Sequence, residues 1–188
     1  MEDLFARWIA DEVLAQDESD CLDTLEAPRI KYAGSIQEPD YAIHPNTMCQ
    51  PSVVVESAWS ESRERMMEDM NLWLRGVGAG PRVQVVILLT WTLVGHGDKD
   101  YSEFAKGEVD FYVRDGQDVP VRQQQVQLWP TNKQQQEGQR LEISRRVLFG
   151  PKAFPGRDLE EMVDLHVELL REISDLGMFN IGLVPDGE

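Results

Sequence analysis

An α/β (α+β) domain with a mixed central sheet flanked by helices is what this 188-residue chain predicts. Three observations carry that reading. Residues 82–94, RVQVVILLTWTLV, are apolar and β-branched enough for the buried centre of a sheet. Several shorter runs alternate at a period of two between turn residues, as half-buried strands do. Segments with apolar residues at helical spacing stand near the start, between two of the strands and near the end. The length suits one domain, 1–188, able to bury a core without disulfides or structural metals. With 41% hydrophobic and 28% charged residues the composition is that of an ordinary globular chain, which excludes a disordered or fibrous one.

In chain order, Phe5, Trp8, Ile9 and Val13 predict a helix over 2–16, with Glu12 falling inside its apolar stripe. Residues 16–25, rich in acids, read as a linker. RIKYAG (29–34) predicts a short strand closed by Gly34. Strands over 40–43 and 52–57 follow, joined by HPNTMCQP with its two prolines. Ser60 predicts the start of a helix to Arg75, whose buried stripe is Met66, Met70, Trp73 and Val77, with an Arg65–Asp69 pair on its flank. GVGAGP (76–81) ends it. After the central strand and the loop HGDKDYSEFAKG, residues 108–114 alternate, Asp115-Gly116 marks a hairpin, and strands are predicted over 119–129 and 141–149. Asp158-Leu-Glu-Glu161 has the form of a capping box, which predicts a final helix to Leu176 with Met162, Leu165, Leu169, Ile173 and Leu176 inward and Gly177 as its stop. His166 on its border reads as a packing histidine. Residues 105–176 are expected to extend the sheet or to cover one of its faces.

Asp40 and Glu56 are the candidate functional residues. They lie symmetrically about Met48, so a simple hairpin places them directly opposite one another, with Cβ atoms about 5 Å apart. The period of two then gives one face of Asp40, Ala42, Val54, Glu56 and Ala58, and another of Tyr41, Ile43, Val53 and Val55. Like charges across a sheet need a metal ion, a cationic side chain or a proton to coexist. Glu56 follows three valines and is expected to be buried. Cys21 and Cys49 fit no zinc or redox spacing, and the three histidines form no spaced pair.

The net charge is -16. It favours basic partners or self-contained solubility, and it disfavours tight binding of nucleic acid, where Lys and Arg must displace counterions. No apolar run reaches the roughly 20 residues of a spanning helix. The opening residues are acidic where a secretory signal is basic, so a cytoplasmic or nuclear location is expected.

The order of helix, strands carrying Pro39-Asp40 and Glu56, helix and central strand is similar to the core of the PD-(D/E)XK restriction-endonuclease-like superfamily. PDYAIHP, VVVESAWSES and EDMNLWL resemble the short hypothetical proteins of that type common in filamentous fungi. The resemblance covers about residues 1–95 and implies a restriction-endonuclease-like core, with the C-terminal strands and final helix added to it. It implies Asp40 and Glu56 as ligands of Mg²⁺, which would activate a water and stabilise charge on a phosphate. Glu12 would add an acid from the first helix. The superfamily's lysine, two residues after the glutamate, is Ala58 here, and no Lys stands between Glu61 and Leu74. Lys31, on the preceding strand, is then the candidate catalytic cation, with Arg63 and Arg65 the nearest arginines. The expectation is a nuclease-like domain with lost or weakened catalysis, acting as an interaction or structural module with a basic protein or with itself. The alternative is a Mg²⁺-dependent phosphodiesterase acting on nucleic acid.

Overall fold

A computed structural model describes residues 2–76, 82–96, 103–130, 139–152 and 154–185. The chain folds as a mixed α/β domain around a seven-stranded sheet. Helices α1 (Glu2–Ala10) and α2 (Gln16–Ser19) precede strand β1 (Leu22–Glu26). A small hairpin, β2 (Ile30–Tyr32) and β3 (Ser35–Gln37), leads to β4 (Tyr41–Pro45) and β5 (Val53–Trp59). A 3-10 turn (Ser60–Ser62) runs into α3 (Arg63–Arg75). Strands β6 (Val85–His96), β7 (Glu103–Arg114) and β8 (Pro120–Trp129) complete most of the sheet. The remainder is β9 (Glu142–Ser144), α4 (Arg145–Phe149), β10 (Met162–Asp164), α5 (Val167–Asn180) and β11 (Leu183–Pro185).

The sheet runs in the order β1-β4-β5-β6-β7, with β8 and β11 both paired to β7. Strand β5 is parallel to β6 through the α3 crossover, β11 is parallel to β7, and the other pairings are antiparallel. The apolar run beginning at Val85 is central, as its continuous hydrophobicity predicts. The period of two divides the side chains between two cores. Ala42, Val54, Val86, Leu88 and Tyr112 pack with Met66, Met70, Trp73 and Leu74 of α3. Ile43, Val53, Val55, Ile87, Val109 and Phe111 face the other way, towards Leu4 and Trp8 of α1 and Val167 and Met178 of α5.

The first helix is shorter than the periodicity predicts. It ends at Ala10 because Glu12 adopts the left-handed conformation (φ 57°), while the Glu12 and Val13 amides turn back to the Ile9 and Trp8 carbonyls. That is a Schellman closure. Its usual signal, glycine, is replaced by Glu12, so the sequence gives no warning. Residues 16–26 hold α2 and edge strand β1 rather than a linker. Glu18 of α2 is buried on Arg145, which also binds Glu161 and the Val13 carbonyl.

Arg145 explains two further departures. Residues 145–149 are helical rather than strand, with Ser144 Oγ accepting from the Val147 amide at 3.3 Å. Glu161 is drawn to Arg145 at 2.7 Å, and residues 162–164 pair with β9 in a separate two-stranded sheet. The capping-box pattern at Asp158 therefore opens no helix. The final helix starts at Val167, contains Gly177, and leaves Ile173 and Leu176 exposed, while Met162 lies in β10 and is exposed as well. Strand β7 begins at Glu103, five residues before the expected 108. The expected breaker at 77–81 with Val77, the loop at 97–102 and the glutamine-rich connection at 131–138 lie outside the described residues. Among those described, no helix is long and apolar enough to cross a membrane.

Candidate functional site: the Asp40–Glu56 strand pair

The β4–β5 register pairs Tyr41 with Val55, Ala42 with Val54 and Ile43 with Val53, so its continuation sets Asp40 opposite Glu56, as the symmetry about Met48 predicts. The two carboxyl groups nevertheless take different hydrogen-bond donors. Asp40 sits in a bend one residue before β4 and is exposed. Its Oδ2 accepts the Ser57 amide at 2.6 Å, and its carbonyl accepts the Ala27 amide at 2.9 Å. The Asp40 side chain thus caps the end of the ladder and borders a cavity with Tyr41, Val55 and Ser57, on the face opposite α3.

Glu56 keeps the direction that its strand dictates and is half-buried beneath α3. Its Oε1 accepts the indole N–H of Trp73 at 2.9 Å. Burial pushes its pKa up to about 7 from 4.5, against the Trp73 hydrogen bond. The Asp40 and Asp69 charges push it further up, while a backbone hydrogen bond from Asp40 opposes them. Desolvation is the largest of these causes: a carboxylate leaving water loses more than one indole donor returns.

Trp73 is itself fixed from the far side. The Tyr32 ring lies 4.7 Å from it between centroids, and the Tyr32 hydroxyl donates to the Trp73 carbonyl at 2.5 Å. Tyr32 faces inward from β2, so by the period of two Lys31 faces outward, and it is exposed. Lys31 is also not on the strand next to β4 in the main sheet. The β2–β3 hairpin forms a separate two-stranded sheet, turning through Ala33 and Gly34, both with positive φ (53° and 83°), while β1 is the neighbour of β4. Two-residue turns with positive φ at both positions match the twist of their strands. Glu12 is exposed in the turn after α1 rather than on a helical core face.

Ala58 stands beside Thr90 in the parallel β5–β6 register. Arg63, from the first turn of α3, donates to Thr90 Oγ1 at 3.2 Å and to Asp110 Oδ2 at 3.1 Å. Arg122 of β8 donates to Asp110 Oδ1 at 3.1 Å. Asp110 is 1% exposed, a buried carboxylate two strands away on the same face as Glu56, and both its oxygens are bound by arginines. Sequence reasoning passed over it because the alternation of 108–114 marks its parity as the solvent face. Arg65 pairs with Asp69 at 4.0 Å, as expected. His166 caps the start of α5 in a left-handed conformation, with its Nε2 3.8 Å from Asp11.

The chain matches no family model, no curated protein and no solved structure. Among the described residues, no three His, Cys, Asp or Glu side chains gather in a group able to hold a metal ion.

Proposed function

We propose that this chain is a nuclease-like domain of the restriction-endonuclease type in which the acidic frame is retained for structure, and that it acts as an interaction or structural module. The observation that carries this reading is the way its two acids are engaged. Asp40 is bonded to Ser57 N–H and Glu56 to Trp73 N–H, so the two acids take different donors although their strand positions face one another.

Magnesium needs ionised oxygens aimed at one point, and it fills its remaining octahedral positions with water or phosphate oxygens. Here burial holds Glu56 towards its protonated form, and one oxygen of each carboxylate already has an N–H donor. As arranged, the donor set does not fit the ion that the family resemblance implies. The nearby cation, Arg63, is held by Asp110, and an arginine does not give up a proton as a general base. The net charge of -16 favours a basic protein as the partner over self-association, the other route considered for such a module.

The test is a titration with Mg²⁺ or Mn²⁺ that follows the melting temperature and the tryptophan emission, since Trp73 touches Glu56. Neither should move. A rise in melting temperature that Asp40→Ala abolishes would show a working metal site at the pair and overturn this reading in favour of the metal-dependent alternative.

A further inference from the structure

A cavity of about 380 Å³ opens between α5 and the sheet face formed by β4, β5 and β6. Its walls are almost wholly apolar: Leu4 from α1, Val55 and Leu89 from the sheet, Leu165, and Leu170 and Met178 on the helix side. A second hollow of about 40 Å³, bordered also by Ile43, Val53 and Ile87, shares five of these wall residues, and the described residues that line it are all apolar. The lining also holds polar groups. Ser57 Oγ accepts the Trp91 indole N–H at 3.2 Å, and Ser174 Oγ donates to the Leu170 carbonyl at 2.6 Å. Among the described residues lining the cavity Asp40 is the one that carries a charge; it is exposed, and its Oδ2 is the oxygen that accepts the Ser57 amide.

We infer that this cavity is a binding site for a small amphiphilic amine, with the apolar body between α5 and the sheet and the ammonium group on Asp40. Sites of a few hundred Å³ with apolar walls and one or two placed polar groups are of the size and kind that bind small molecules. Walls without neighbouring atoms forgo dispersion contacts that an inserted hydrocarbon would supply. The head group follows from charge. A carboxylate in the lining, on a chain carrying -16, repels fatty acids and other anionic amphiphiles and attracts an ammonium group, which is a charge-assisted hydrogen-bond donor. The same net charge opposes a second copy of the chain in this place. A segment of a basic protein satisfies the charge but has to deliver a side chain deep between helix and sheet. The inference rests on the proposed function in one respect, that Asp40 is not held by a metal ion shared with Glu56; the Mg²⁺ titration tests that separately from amine binding.

The probes are octylammonium, octanol and octanoate, identical in their tails, titrated calorimetrically into the full chain below micelle formation. Octylammonium should bind most tightly and octanoate least, with about fivefold between octylammonium and octanol for an exposed carboxylate. Asp40→Asn should bring octylammonium to the level of octanol. Asp175→Asn, the same charge change at an exposed α5 residue outside the cavity lining, should not. Gly177→Leu should weaken all three: Gly177 lines the cavity, and a Cβ there meets nothing within 4 Å, so the side chain is accommodated. The inference is overturned if none of the three binds, if octanoate matches octylammonium, or if Asp40→Asn leaves the preference intact. It is equally overturned if an 18-residue helical Leu/Lys peptide binds in an Asp40-dependent way while octylammonium does not, which would make the site a protein-docking groove.

Discussion

Replacing Glu56 by glutamine should make the protein more stable at pH 8 and leave it unchanged near pH 4. The side chain of Glu56→Gln matches the protonated carboxyl in shape and can still accept the Trp73 N–H. The folded-state pKa is raised from 4.5 to about 7, so between those values the native state holds a proton that the unfolded chain has released. Stability from this group is therefore full below pH 4.5 and declines as pH rises to about 7. At about 1.4 kcal/mol per pH unit, the rise from 4.5 to about 7 converts to roughly 3.5 kcal/mol. Glu56 is only half-buried, and solvent screening reduces the usable figure to about 1–2 kcal/mol. In a chain of this length that corresponds to roughly 3–6 °C in melting temperature. Urea denaturation of both proteins at pH 4.2, 6 and 8 gives the difference directly, since the other titrating groups cancel between them. A variant less stable than the parent at pH 8, or a difference that does not change with pH, would refute the reasoning.

Three further outcomes follow from the same geometry. Trp73→Phe removes the donor that opposes the rise of the Glu56 pKa, so its cost, about 1–2 kcal/mol at pH 8, should shrink towards the packing loss alone at pH 4.2. Arg145→Ala leaves the buried Glu18 with the Ala15 amide at 2.8 Å and, as a cation, Arg157 at 3.5 Å, and should cost about 3–5 kcal/mol in urea; Glu18→Gln in the same chain should restore part of it. Gly107 faces Trp91 across β6–β7, and an added Cβ would lie 2.2 Å from the indole ring. Gly107→Ala should therefore cost about 1–3 kcal/mol and shift the tryptophan emission, and the penalty should fall in a Trp91→Leu background.

The fold and the candidate site were legible in the sequence to different depths. Strand positions and their faces were readable because alternation has a fixed period and Asp40 and Glu56 share one centre of symmetry, which the register reproduces. The same holds for α3, whose stripe of Met66, Met70 and Trp73 is buried as spaced. Helix ends were not, because the signals at Glu12 and Asp158 belong to contacts remote in sequence or to a residue type that seldom closes a helix. Arg145 is the plainest case. Nothing local marks it as the group that gathers Glu18, Glu161 and the Val13 carbonyl and so decides what residues 145–164 become.

What the sequence determined by itself, then, is a mixed α/β chain with a buried central strand, and two acids on facing strand positions without a lysine beside them. These follow from period, composition and residue identity, which are local. What only the tertiary structure decided is where each acid points and what binds it. Asp40 lies past the last paired residue of β4, where the ladder no longer dictates its direction, and it turns to the Ser57 amide and the α5 cavity. Glu56 remains within β5 and is carried under α3, to a tryptophan placed by a tyrosine 41 residues earlier. Direction and partner depend on packing between distant segments, and no spacing within the strand encodes them.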